Sequence, residues 1–426
     1  MYAWVFGYNG RVILGRTWDE FFDVLDFARG KLMLGDNRRL IVYIHNLSFE
    51  FQFMQRRIQF DKVFAVDERK PLYAISNGIE FRCSYLLSGY NLEKLGENLT
   101  KYKVQKMVGD LDYRQIRYNK TVLTDKEKQY IINDGLVVMA HIKEEMERLG
   151  DIGKIPLTKT GYVRELCRQN CLKGEYKYEY RALMKNLTLT PKIYQQLKRA
   201  FTGGFTHANA RFVGDVISGV HSFDLTSSYP TVMVAEQFPM SKPFHVDIID
   251  EEQLFDYLEN FCCVFDVRFN DIRSKVDYDN YISSSRCTEL EHPIINNGRV
   301  VEAGTLTITV TEQDFLLIDE MYDYDSYSIS NFNAFYKGYL PRPLIETILD
   351  LYQKKTTLKG GEGKEVEYLV SKGMINAVYG MSVTDICRDE FTFNKGWSKV
   401  KAGRTQIEAM IDKYNTNKAR FLYYPW

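Results

Sequence analysis

The chain of 426 residues is too long for a single hydrophobic core, and two to four domains are expected. Its 45% hydrophobic and 26% charged residues are the balance of a soluble globular protein. Lys plus Arg and Asp plus Glu stand at 56 each, so the chain lacks the basic excess usual in a sequence-unspecific DNA binder, although locally segregated charge can still line a groove.

Residues 2–6 and 11–15 read as a β-hairpin across Asn9-Gly10, a favoured two-residue turn. Thr17 is placed as an N-cap, with Glu20 at the capping-box position, opening an amphipathic helix. Residues 40–44 are a short apolar run fit for a buried strand, and the periodicity of 125–148 predicts a helix carrying Tyr130 and Asp134. This order predicts a compact sheet with helices packed on it. Residues 151–200 are rich in charge and read as connecting helices. Strand character returns over 201–235, around Gly203-Gly204 and in the run 218–225. Residues 245–340 are mixed, with β-rich stretches at 262–269 and 304–310. Leu340-Pro341-Arg342-Pro343 is a breaker before a helix over 344–352. Gly360-Gly361-Glu362-Gly363 interrupts it, and a second helix follows over 364–379.

The seven cysteines include no CxxC, and Cys167 and Cys171, on one helix face, have no nearby His or further Cys to complete a zinc site. Free buried thiols in a reducing cytoplasm are expected. Met1-Tyr2-Ala3-Trp4 lacks the basic start of a signal peptide, and no run approaches 18 apolar residues, so a soluble, cytoplasmic protein without a membrane partner is expected.

Two stretches carry chemistry. Asp224-Leu225-Thr226-Ser227-Ser228-Tyr229-Pro230 puts a carboxylate at the end of an apolar run, followed by a Tyr-Pro turn. Residues 372–380 (KGMINAVYG) place Lys372, Asn376 and Tyr379 on a helix stopped by Gly380. A carboxylate for Mg²⁺, a cation for a triphosphate, and aromatic and amide groups around sugar and base are what a nucleotidyl transferase needs. Taken singly, Asp224 is equally a solvated strand-end carboxylate, Gly203-Gly204 and Tyr229-Pro230 are plain turns, and Lys372 is a solvated helix lysine. Order and spacing favour function. The two stretches resemble motif A (DxxSLYP) and motif B (KxxxNSxYG) of family B DNA polymerases, specifically the protein-primed, phage-type branch.

That resemblance implies a role for each residue. Asp224 ligates the catalytic metals, Leu225 lends its backbone carbonyl to the nucleotide site, and Tyr229 is the steric gate beneath the deoxyribose. Phe201-Thr202-Gly203-Gly204 stands where the branch has YxGG, with Gly203 and Gly204 admitting the template strand closely and Phe201 replacing the tyrosine. Lys355 opens the fingers, Lys372 grips the triphosphate, and Asn376, Tyr379 and Gly380 frame the nascent base pair and DNA, with Ala377 where the family usually has serine. Residues 299–314 resemble part of an insertion that contacts terminal protein and template.

His45-Asn46-Leu47-Ser48-Phe49-Glu50 resembles the exonuclease motif HNLxFD. Asn46 and Phe49 then hold a single-stranded 3′ end, and Glu50 stands in for the metal-binding aspartate, one methylene longer. Tyr130 and Asp134 match YxxxD, orienting a water and ligating metal from one helix face. Ser84 sits at a primer-strand position. In 108–113, Val108 replaces a phosphate-binding lysine for which Lys106 is the nearest substitute. The DxE of the first exonuclease motif and the DTD of motif C do not occur at their expected places, so an interior fragment lacking both and the thumb, and itself inactive, is expected.

The implied fold is α+β and multidomain: a ribonuclease-H-like 3′–5′ exonuclease domain over 1–150, connecting helices over 151–200, and polymerase palm with motif A over 201–235. An insertion of terminal-protein-region type over 236–341, helical-hairpin fingers with motif B over 342–384, and a second insertion with the return to palm over 385–426 complete it. The implied function is DNA-directed DNA polymerisation with proofreading in phage replication, with two Mg²⁺ or Mn²⁺ ions per complete site. DNA template-primer, dNTPs and a terminal protein primer are the implied partners, in a host cytoplasm. A ribonuclease-H-like nuclease leaves motifs A and B unexplained. An inert DNA-binding remnant, or one piece of a split polymerase, fits the same motifs.

Overall fold

The structure is a computed structural model that describes residues 3–104, 107, 114–276, 279–361, 364–384 and 390–400. Lys106, Cys387 and the stretches 108–113 and 421–426 lie outside the described residues. The chain divides into two compact units, one of Met1–Cys167 with Ile348–Gln406, the other built on Arg168–Thr347.

In the first unit the strands Trp4–Tyr8 and Arg11–Gly15 pair antiparallel, with Phe6 opposite Ile13 and Tyr8 opposite Arg11. Asn9 and Gly10 both take positive φ (46° and 80°), the conformation a two-residue turn needs to match strand twist. Thr17 caps the helix Trp18–Leu32 in a full capping box: its hydroxyl accepts from the Glu20 amide at 3.2 Å, and Glu20 accepts from the Thr17 amide at 2.9 Å.

Beside this hairpin lies a six-stranded sheet in the order Trp397–Val400, Glu390–Phe393, Lys62–Ala65, Pro71–Ser76, Ile79–Cys83, Leu40–Ile44. Leu40–Ile44 runs parallel to Ile79–Cys83, and the other pairings are antiparallel. Leu40–Ile44 is half-buried rather than fully buried, since it is the last strand of the sheet. Leu25, Leu47, Phe51, Ile79 and Phe81 close the core, joined from the far end of the chain by the partly buried Phe393 and Trp397. Phe51 meets both of those rings, at centroid distances of 5.4 and 5.6 Å.

The helix Asp125–Leu149 is capped at both ends, by a Thr124–Glu127 capping box and by Gly150 in the left-handed region. It packs on the hairpin at Gly135, where a Cβ would stand 2.9 Å from Val5. After the proline breaker come Arg342–Leu358 and Glu365–Ser382. Gly380 does not stop the second helix, which continues to Ser382. Its φ is not positive, so the backbone carries on helically through a residue that sequence marks as a stop.

The second unit is organised by a seven-stranded sheet. Its path runs Cys287–Glu291, Arg299–Thr311, Cys262–Ser274, Ser326–Phe335, Phe244–His245, with Ile294–Asn296 and Tyr322–Asp323 pairing off it. Alternation on Cys262–Ser274 assigns the faces. Cys263, Phe265, Val267 and Phe269 enter a core with Phe315, Phe332 and Leu306, beneath the helices Glu251–Asn260 and Glu312–Met321. Cys262 and Val264 point the other way, onto Ile193 and Ala200 of the helix Pro191–Ala200. Each fully buried Phe contributes roughly 1.5–3 kcal/mol from water exclusion.

One expectation fails here. Residues 218–225 form no strand: from 201 to 227 the backbone is irregular apart from a short 3-10 turn at Ala210–Phe212. A helix satisfies its own backbone, whereas a strand exists only beside a partner, and no described strand pairs with this run. Val216, Phe223 and Leu225 are therefore exposed. Tyr229-Pro230 is likewise no simple turn but the first turn of the helix Ser228–Ala235, where proline's missing N–H costs nothing.

Candidate functional site

In the second unit, helix Pro191–Ala200 ends at Phe201 and releases the loop 201–206, whose residues are exposed. Gly203 faces open space. At Gly204 a Cβ would stand 2.9 Å from the Tyr229 hydroxyl, so the loop and the motif A tyrosine are brought together across 25 residues of sequence. Tyr229 is 45% exposed, on the first turn of a helix whose N-cap, Ser227, takes the left-handed region at φ 55°. For a non-glycine residue that conformation costs about 1–3 kcal/mol and persists where the surroundings fix it. Asp224 and Leu225 are exposed on the irregular segment just before. Asp224 is thus available to solvent, but not at the end of a strand as its sequence context implies.

In the first unit, the strand Leu40–Ile44 hands over to the helix Leu47–Met54 through Asn46, also left-handed at φ 58°, whose side chain does not cap the helix. Phe49 is 58% exposed and meets Phe53 edge-on at 5.2 Å. His45 Nδ1 lies 3.1 Å from the Ser84 hydroxyl, and its ring meets Tyr85 edge-on at 5.8 Å. His45, Ser84, Tyr85, Asn46, Phe49 and Phe53 thus lie where strand Leu40–Ile44 gives way to the following helix and Ile79–Cys83 ends. Sequence named Asn46, Phe49 and Ser84, but the exposed Phe53 and Tyr85 emerge only from the fold. Glu50 is exposed on the same helix, yet protein packed around its carboxyl raises it above the usual carboxylate range. Tyr130 and Asp134 lie one turn apart on Asp125–Leu149, both half-buried.

The motif B helix Glu365–Ser382 has two faces. Ile375, Val378 and Met381 are buried, while Lys372 and Asn376 are exposed and Tyr379 half-buried. Spacings of four and three put Lys372, Asn376 and Tyr379 on one stripe. Gly380 faces Thr160 at ordinary contact distance, 4.0 Å. Lys159 was not picked out by sequence. It lies so close to the same helix that a Cβ at Gly373 would stand 2.3 Å from its Nζ, which also sits 4.9 Å above the Tyr90 ring. Burial lowers the Lys159 ammonium below its ordinary value. On Arg342–Leu358, Lys355 lies over the Tyr352 ring at 4.8 Å.

No group of three or more His, Cys, Asp or Glu side chains stands ready for a metal among the described residues. Asp224 is a single carboxylate, and a two-metal centre needs more, so the described donors do not complete one. Burial pushes the thiols of Cys171 and Cys262 up to about 12 and about 11, so neither is a nucleophile at neutral pH. Among the described residues no helix is long and apolar enough to cross a membrane.

Residues 61–421 match the family model of DNA polymerase type B, organellar and viral. The chain is 25% identical to the DNA polymerase of Bacillus phage phi29 over 171 residues, 39% of this chain and 28% of that protein. It is 23% identical to the DNA polymerase of Bacillus phage PZA over 284 residues, 66% of this chain and 45% of that protein. It therefore spans less than half the length of these curated relatives. Among solved structures, phi29 DNA polymerase in an orthorhombic crystal form matches with a TM-score of 0.68 at 16% identity, covering 98% of this chain and 73% of the other. The same polymerase complexed with primer-template DNA and incoming nucleotide substrates matches with a TM-score of 0.64 at 17% identity, over 97% and 72% of the two chains. At these identities the likeness establishes a shared mixed α+β fold.

Proposed function

Because this chain belongs to the DNA polymerases of type B, organellar and viral, we propose that it serves template-directed deoxynucleotidyl transfer in phage DNA replication, in a host cytoplasm. The observation that carries the reading is the stripe of exposed Lys372 and Asn376 and half-buried Tyr379 on a helix that buries Ile375, Val378 and Met381 on its other side. An ammonium in that position offers a point charge to a triphosphate, and the amide and phenol beside it suit a base and sugar. Tyr229 excludes a 2′-hydroxyl by ring bulk. Asp224 is the carboxylate offered to Mg²⁺ or Mn²⁺, with the Leu225 carbonyl beside it, and Lys355 adds charge to the nucleotide site. Gly203, Gly204 and Gly380 admit DNA backbone.

The exonuclease reading assigns Asn46 and Phe49, with Phe53 and Tyr85, to a single-stranded 3′ end, since exposed rings stack on bases whatever their sequence. Glu50, Tyr130 and Asp134 are its catalytic groups. Protein priming, with the sheet of 262–335 as the surface for a terminal protein, rests on the family resemblance of this insertion.

Primer extension by this chain completed with a motif C carboxylate and thumb tests this. Lys372→Ala is expected to raise KM about tenfold, or ~1.4 kcal/mol, for ribo- and deoxynucleotides alike, because a phosphate contact does not distinguish sugars. Tyr229→Val is expected to admit ribonucleotides while deoxynucleotide incorporation persists, and Asp224→Ala to abolish both. Unchanged sugar discrimination in Tyr229→Val would remove the motif A assignment. Primer-template binding with no extension at all would instead favour an inert DNA-binding protein.

A further inference from the structure

The loop 201–206 is exposed, yet both its ends are fastened to the sheet by arginines. Arg286 Nη2 donates to the Ala200 carbonyl at 2.8 Å, to the Thr309 carbonyl at 3.2 Å and to Asp314 Oδ2 at 3.2 Å. Asp314 is itself held by the Tyr281 hydroxyl and buried. At the other end Arg299 Nη2 donates to the Thr206 carbonyl at 3.1 Å, while its Nη1 donates to the Tyr281 carbonyl at 2.8 Å. The Arg299 guanidinium lies 4.8 Å from the centroid of the Phe205 ring, which stacks on Tyr281 at 5.9 Å. A short segment between two anchored carbonyls keeps little conformational freedom.

Gly204 lies within this segment, and its φ is not positive, so its backbone conformation does not call for glycine. What calls for glycine is space: the Tyr229 hydroxyl occupies the position 2.9 Å from where a Cβ would be. Gly203 has no such neighbour. The two glycines therefore do different things. We propose that residues 200–206 form a braced rest for the Tyr229 ring, with Gly204 as its seat and Arg286 and Arg299 as its braces, so that the inserted sheet sets where the sugar-discriminating ring sits. This rests on the reading of Tyr229 as the sugar gate and makes Gly204, Arg286 and Arg299 positioning residues. An added Cβ at Gly204 meets the far end of a side chain that can swing, so the ring moves while the fold survives.

The test is a single 3-fluorotyrosine at position 229 of the full chain, read by fluorine NMR without substrate. Gly204→Ala is expected to shift or split the resonance and Arg299→Ala to broaden or shift it, with unchanged thermal unfolding for Gly204→Ala. Gly203→Ala is expected to leave the resonance in place. An unmoved resonance in Gly204→Ala, or an equal shift in Gly203→Ala, overturns the proposal. In primer extension, Gly204→Ala is expected to lower the deoxy-over-ribo ratio of kcat/KM about tenfold, and Tyr229→Phe in that background to recover part of it by removing the hydroxyl that collides. Should the chain completed with a motif C carboxylate and thumb not extend primers, the polymerase reading falls and the fluorine signal alone decides whether the rest exists. Should it extend with strong sugar discrimination that Gly204→Ala leaves intact, the rest falls while the polymerase reading stands.

Discussion

Two regions of the second unit could hardly differ more in packing. The sheet of residues 262–335 buries Phe265, Phe269, Phe315 and Phe332 almost completely. The stretch 201–227, in the same unit, leaves Phe223 93% exposed and has no regular structure beyond one 3-10 turn. The motif A residues assigned to nucleotide chemistry lie on or beside the loosely packed stretch, and the well-packed sheet reaches out to hold it at Ala200 and Thr206. An exposed loop is poor in packing by necessity, and its geometry has to be imposed by a stiff neighbour.

The contrast has measurable consequences. Phe265→Ala removes a fully buried ring from the sheet core and is expected to cost about 3–5 kcal/mol in denaturant unfolding of the full chain. The same truncation at Phe223 is expected to stay within about 0.5 kcal/mol. Comparable losses at the two sites would mean that 201–227 is packed after all. Asp314→Ala comes next, at about 3 kcal/mol, because it removes a carboxylate whose side chain is 6% exposed and leaves the mostly buried Arg286 guanidinium without it. A loss no larger than that of a surface ion pair would show that the Arg286 brace is dispensable.

The smallest effect sharpens the comparison from the first unit. Glu144 on the helix Asp125–Leu149 is partly desolvated, which raises its carboxyl. The amides of Tyr102, Thr100 and Lys101, accepted at 2.7–3.1 Å, outweigh that and hold it below the ordinary value. A depressed carboxylate contributes stability above its unfolded pKa of about 4.3, and that contribution is lost as pH falls through the folded value. Glu144→Gln is therefore expected to be less stable than wild type at pH 7, by under about 1 kcal/mol given its solvent access, with the gap closing on acidification. A gap that stays constant from pH 7 to pH 3 would contradict the linkage.

Local signals were legible residue by residue. Asn9-Gly10 specified its hairpin, Thr17 with Glu20 its helix start, the periodicity of 125–148 the helix Asp125–Leu149, and the breaker at 340–343 the entry to Arg342–Leu358. The stripe of Lys372, Asn376 and Tyr379 was legible too, because helical spacing alone assigns a face. Gly380 misled, since glycine permits a helix end without enforcing one. The run 218–225 misled for a deeper reason, since spaced apolar residues such as Val220, Phe223 and Leu225 suggest a strand but supply no partner. Pairing of Phe391 with Ala65 lay beyond any local pattern, as did the reach of Arg286 and Arg299 to carbonyls 86 and 93 residues away.

The tight hairpin, the cap at Thr17 and the long helices of the first unit could be read from the residues alone, because hydrogen bonds and side-chain periodicity within a few residues decide those, and the same local patterns nominated the residues proposed for nucleotide chemistry. Long-range packing alone brings Gly204 to Tyr229, holds the loop between two arginines, and leaves 218–225 without a strand partner among the described residues. Each of those outcomes depends on a partner distant in sequence, and its free energy exists only once the chain has closed the loop that brings the two together.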